Sequence, residues 1–137
     1  MTPARGEAVN LTLTLQPARL AVCRLPADSD FPGWARPGGL LALVRTADEL
    51  SVVCEECDVP PGTKIERGWR AFQVEGPLDF ALTGILASIA SPLAEAGVAI
   101  FALSTFDTDY VLVKESDLPI ALRALHQAGH QVNEHST

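Results

Sequence analysis

The sequence predicts an α+β fold of two small modules, and three observations predict it. The first half holds only short strand-like runs. The second half alternates strand and helix periods in the order β-α-β-β-α-β. Between them, Pro60-Pro61-Gly62 breaks any regular element. The second-half order is that of a ferredoxin-like unit, with antiparallel strands in one sheet and two helices on one face. Residues 64–137 therefore read as a complete module. Residues 1–63 read as the same plan, reduced and mostly β.

Each element has its own signal. Leu11, Leu13 and Leu15 alternate with Thr12, Thr14 and Gln16, the period of a half-buried strand. Pro17 interrupts, and Arg19 to Leu25 follows as a second strand. Pro26 to Asp30 is a loop, and Phe31 to Gly39 carries Pro and Gly too densely for a long helix; Ser29 to Pro37 reads either as a lid over a site or as a plain loop. Leu40 to Val44 and Leu50 to Glu55 form a hairpin about the turn Arg45-Thr46-Ala47-Asp48.

In the second module Trp69 to Glu75 is a strand ended by Gly76-Pro77. Leu82, Ile85, Leu86, Ile89 and Leu93 form the apolar stripe of a helix. Pro92 should disturb its last turn and Gly97 should end it. Val98 to Leu103 lacks polar alternation, which predicts a central strand covered on both faces. Tyr110 to Val113 returns as its partner. Ser116 should cap a second helix with the stripe Leu118, Ala121, Leu122 and Leu125, ended by Gly129. Gln131-Val132-Asn133 is the last strand.

Composition narrows the function. The chain has 137 residues, 47% of them hydrophobic, which suits a globular core. Ten basic residues against 17 acidic ones give a net charge of −7. That balance disfavours nucleic acid and an anionic membrane as partners. No apolar run reaches the roughly 18 residues of a membrane span, and Met1 to Val9 has no apolar signal-peptide segment. Three cysteines, Cys23, Cys54 and Cys57, argue against a disulfide scaffold and point to a reducing cytoplasm.

Most chemical motifs fail on inspection. Cys54-Glu55-Glu56-Cys57 ends a strand rather than opening a helix, and its two glutamates oppose a thiolate. Zinc would need two further ligands, and His126, His130 and His135 stand far off in sequence. They read as a solvated C-terminal surface. No Gly-x-Ser-x-Gly elbow and no phosphate-binding glycine loop occurs. No catalysis, cofactor or metal is expected.

Two segments remain. Glu75-Gly76-Pro77-Leu78-Asp79 leads from strand to helix, where free N–H groups attract a carboxylate. Ser104-Thr105-Phe106-Asp107-Thr108-Asp109 leaves the following strand. If the two met on one rim, N–H donors and the Asp107 carboxylate would be the minimum equipment for a free amino acid. The alternative is that Asp79 caps its own helix and Asp107 serves its own turn.

These residues also carry a resemblance. Glu66-Arg67-Gly68-Trp69-Arg70, Val74 to Phe80, Thr83 to Ala87 and above all Ile100 to Val113 resemble the small tandem ACT-domain proteins of bacteria and the ACT repeats of animal cytosolic arginine sensors. The first-half strings Cys23 to Pro26 and Thr46 to Cys54 match as well. The resemblance implies two ACT-like modules and a non-catalytic regulator that binds an amino acid or similar effector. It places ligand contacts at Gly76, Pro77, Leu78, Asp79, Thr105 and Asp107. With no enzyme attached, such a chain would act as a homodimer or through another protein. The alternative is a structural or interaction module with a vestigial ligand site. Trp34, Trp69 and the Cys54/Cys57 pair receive no role from the sequence.

Overall fold

Alternation at the start of the chain does produce a strand, but not in the company the sequence suggested. The computed structural model describes residues 10–35, 39–56, 59–76 and 84–134. Its strands are β1 (Thr12–Leu15), β2 (Leu20–Leu25), β3 (Ala42–Arg45), β4 (Leu50–Glu55), β5 (Lys64–Val74), β6 (Ile100–Ser104), β7 (Asp109–Lys114) and β8 (Gln131–Glu134). Among the described residues there are two α-helices, α1 (Ile85–Glu95) and α2 (Leu118–Gln127).

The chain forms two compact units that divide near Pro17 and again near Arg70. The expected boundary at 63/64 follows the sequence modules; the compact units follow other lines. Residues up to Pro17 join those from Ala71 onward, and Ala18–Arg70 form the other unit. Strand β5 contributes its first residues to one unit and its last four to the other.

In the helix-bearing unit the strand order is β6-β7-β5-β1-β8. This is the expected β-α-β-β-α-β plan with β1 inserted between its first and last strands. Strand β1 pairs antiparallel with β5 (Leu13 opposite Val74) and parallel with β8 (Leu13 opposite Val132). Period-2 side chains then share one face: Leu13 and Leu15, Phe72 and Val74, Val111 and Val113. Ile85, Ile89 and Leu93 of α1 and Ala121 and Leu125 of α2 close over them as one core. Fully burying one such side chain stabilises by about 1.5–3 kcal/mol.

Three expectations need correction here. Leu86 belongs to the predicted stripe, yet it is 37% exposed, because α1 is anchored through the narrower series Ile85, Ile89 and Leu93. Strand β6 is not central: among the described residues it pairs only with β7, and Ala102 and Ser104 are exposed. Its unbroken apolarity imitated two-faced burial. Ser116 does not cap α2; it lies in a 3-10 turn, Glu115–Asp117, and Asp117 holds the cap position.

The other unit is a four-stranded antiparallel sheet, β3-β4-β2-β5, with no α-helix among its described residues. Its core is Ala21, Cys23, Ala35, Leu50, Val52 and Cys54, with Trp34, Leu43 and Ile65 packed against it. Strand β5 starts five residues before the expected Trp69, and Trp69 is buried. A bulge explains why the start was hidden. Three steps along β5 (Glu66 to Trp69) span two along β2 (Val22 to Leu20), and Gly68 there has φ +81°. Glycine tolerates that conformation at no steric cost. The Gly68 N–H, turned out of the ladder, donates to Glu56 Oε2 at 2.9 Å, and Arg19 stands 3.4 Å from Glu56 Oε1.

Candidate functional site

The site grows from the end of β5. The Glu75 N–H donates to the Thr12 carbonyl at 2.8 Å, so the ladder with β1 continues to Glu75, one residue before Gly76. Glu75 and Gly76 are both exposed at this rim. The β6–β7 hairpin reaches the same place. Thr108, only 7% exposed, donates its hydroxyl to the Val74 carbonyl at 2.6 Å. That bond joins the two segments that sequence alone left apart. The reason is antiparallel geometry: β7 starts where β5 ends, and a buried threonine just before β7 reaches the Val74 carbonyl.

The turn itself is tightly bonded. The Thr105 N–H donates to the Thr108 carbonyl at 2.8 Å. The Thr105 hydroxyl donates to that carbonyl at 3.1 Å and accepts the Thr108 N–H at 3.2 Å. Ser104 Oγ donates to Asp109 Oδ1 at 2.7 Å. Thr105 thus has no proton left to offer a ligand, only one acceptor lone pair. Asp107 is exposed at the tip beside Phe106, which is 79% exposed.

Gly76, Thr105 and Asp107 therefore belong to the region tied together by Thr108. Pro77, Leu78 and Asp79 lie outside the described residues, as does Leu82. The described part of α1 begins at Ile85 with Gly84 as its N-cap, eight residues after Gly76. Sequence reasoning placed Thr108 within the segment leaving the strand and did not see its bond to β5. A threonine between two aspartates gives no signal of a partner 34 residues away.

The histidine reading also changes. His130 is 3% exposed, not solvated. Its Nδ1 accepts the Leu11 N–H at 3.1 Å, and its Nε2 lies 2.8 Å from the Ser88 carbonyl. No group of three or more His, Cys, Asp or Glu side chains is placed to hold a metal among the described residues.

In the Ala18–Arg70 unit Cys23 and Cys54 are buried thiols, not joined in a disulfide, on paired strands. A hydrogen bond from the Cys54 thiol holds Cys23 below the ordinary thiol range; burial opposes this, and the Arg67 guanidinium assists it. Cys57 lies outside the described residues, so the Cys54/Cys57 pair stays without a structural account. Ser29 is held in its loop by Arg45, whose Nη2 donates to the Ser29 carbonyl at 2.7 Å while Nη1 donates to the Ala27 carbonyl. No helix in the described residues is long and apolar enough to cross a membrane.

Known proteins resemble this arrangement. The ACT domain family matches residues 64–127, and a family described as an N-terminal domain matches residues 19–62. The chain is 30% identical over 95 residues to the cytosolic arginine sensor for mTORC1 subunit 1 of Bos taurus, covering 61% of this chain but only 29% of that protein. A solved structure from Agobacterium tumefaciens is 37% identical, with a TM-score of 0.90 over 95% of this chain and 97% of that one. The regulatory subunit of aspartate kinase from Thermus flavus shares the fold at 16% identity, with a TM-score of 0.59 over 88% of this chain and 98% of that one.

Proposed function

We propose, from the match of residues 64–127 to the ACT domain family and the likeness to an arginine sensor, that the chain is a non-catalytic regulator that binds a free amino acid or similar small effector. The observation that carries this reading is the Thr108–Val74 bond, which brings Gly76 and Asp107 to one rim. In the proposed mode the backbone N–H groups from Gly76 through Pro77, Leu78 and Asp79 receive the α-carboxylate; Pro77 itself has no N–H to give. Asp107 receives the α-ammonium, with the free lone pair of Thr105 as a second acceptor. Relatives support the reading: one matched protein is named an arginine sensor and one a kinase regulatory subunit.

Magnitudes add a condition. An ion pair at an exposed carboxylate contributes about 0–1 kcal/mol, whereas millimolar binding needs about 4 kcal/mol. Asp107 is exposed, so this account has a second copy of the chain closing over the rim in a homodimer and excluding water. The occupied dimer would then engage another protein. Two modules, 1–63 and 64–137, fit the two family matches, and two buried thiols outside any disulfide fit a reducing cytoplasm.

A screen of thermal unfolding against the twenty amino acids tests the proposal. A ligand at about 100 times its dissociation constant adds about 2.7 kcal/mol of stability. The account expects such a gain with at least one amino acid; no gain with any of them would refute it. The second reading, an interaction module with a vestigial site, is favoured by one observation: the Thr105 hydroxyl is committed to its own turn. Light scattering that showed a dimer indifferent to all twenty would select it.

A further inference from the structure

Helix α1 carries a proline one turn before its end, and the consequence is visible three elements away. Pro92 has no N–H, so the Ser88 carbonyl, four residues earlier, loses its intrahelical donor. The Ser88 side chain cannot help, since its hydroxyl donates to the Ile85 carbonyl at 2.8 Å. An unpaired buried carbonyl costs about 1–3 kcal/mol. The group that faces it is His130 Nε2, at 2.8 Å.

The tautomer follows from the other side of the ring. A backbone N–H can only donate, and the Leu11 N–H points at His130 Nδ1 from 3.1 Å. Nδ1 must therefore carry a lone pair, and a neutral ring then carries its proton on Nε2. We infer that His130 is a positioning residue: a neutral, Nε2-protonated imidazole that supplies the donor Pro92 removes from α1 and fastens that helix to the start of β1.

The surroundings fit this role. The Gln131 N–H donates to the Leu11 carbonyl at 2.9 Å, so Leu11 is held on both its polar groups by consecutive residues. Asn10 lies so close to Gly129 that an added Cβ there would stand 2.7 Å from Asn10 Oδ1. Gly129 also has φ +95°, a conformation that favours glycine. The strand that His130 fastens is the one whose Thr12 carbonyl holds Glu75 at the rim. The inference rests on these bonds alone and not on the ligand reading.

Two measurements test it on the full chain. Long-range proton–nitrogen correlation of the histidine rings should show His130 protonated at Nε2 and bare at Nδ1; the opposite tautomer, or a doubly protonated ring at neutral pH, overturns the inference. Denaturant unfolding of the wild type, His130→Ala, Pro92→Ala and the double variant should show coupling. His130→Ala should lower the folding equilibrium constant roughly 10- to 100-fold. Pro92→Ala gives the helix back a backbone N–H for the Ser88 carbonyl, so in that background the loss should be at least about threefold smaller. Equal losses in both backgrounds contradict the inference. Should a variant fail to fold, the ring spectrum of the wild type still decides it.

Discussion

The two compact units solve the same problem with different means. Each has a mainly antiparallel sheet with one apolar face to cover. In the helix-bearing unit α1 and α2 deliver Ile85, Ile89, Leu93 and Leu125 onto Phe72, Leu13 and Val111. In the other unit no α-helix is found among the described residues, and the core holds Ala21, Cys23, Ala35 and Cys54 beside Leu50 and Val52. Small side chains permit a closer cover. A loop supplies it, with Ala35 buried, Trp34 laid against the core and Arg45 holding the Ala27 and Ser29 carbonyls. Helices bring large branched residues and a deep core; a pinned loop brings a shallow one.

Truncating each core sharpens the difference. Phe72→Ala should cost the most, about 3–5 kcal/mol, since a buried ring leaves a cavity between sheet and helices. Leu50→Ala should cost less, about 2–3 kcal/mol, because a thin cover of small residues collapses into the gap more readily. Chemical denaturation of each variant measures both, and a Leu50 loss above the Phe72 loss would break the comparison. Next in size is Thr108→Val, which keeps the shape and strands the Val74 carbonyl, for about 1–3 kcal/mol. The same variant should raise amide exchange at Glu75 and Gly76. Arg45→Ala should cost less than about 1 kcal/mol, because its guanidinium bonds are exposed. It should still make the 26–35 loop more sensitive to limited proteolysis. Asp107→Ala should stay within about 0.5 kcal/mol of the wild type in stability, while removing any stabilisation by an amino acid.

What the residues revealed in advance divides along physical lines. Local periodicity was enough for β4, for β7 to within a residue at each end, and for the buried stripe of α2 at Ala121 and Leu125. Bulges and long-range partners were not legible. Strand β5 read as starting at Trp69 although it runs on through a bulge at Gly68, because only the pairing with β2 shows the continuity. β1 read as part of the first module, although its register lies with Val74 and Val132. His130 read as surface because burial depends on Pro92 and Leu11, 38 and 119 positions away in sequence. At the candidate site the two segments were legible, but the tie between them was not, since it depends on one hydroxyl reaching across from Thr108 to the Val74 carbonyl.

The central claim is that this rim receives an amino acid. Backbone amide NMR of the labelled full chain, titrated with whichever amino acid stabilises it, tests that most directly. The account predicts shifts concentrated at Glu75, Gly76 and Thr105 to Asp107, and their loss in Asp107→Ala. Shifts confined to residues of the Ala18–Arg70 unit, or a spectrum unchanged by all twenty amino acids, would contradict it.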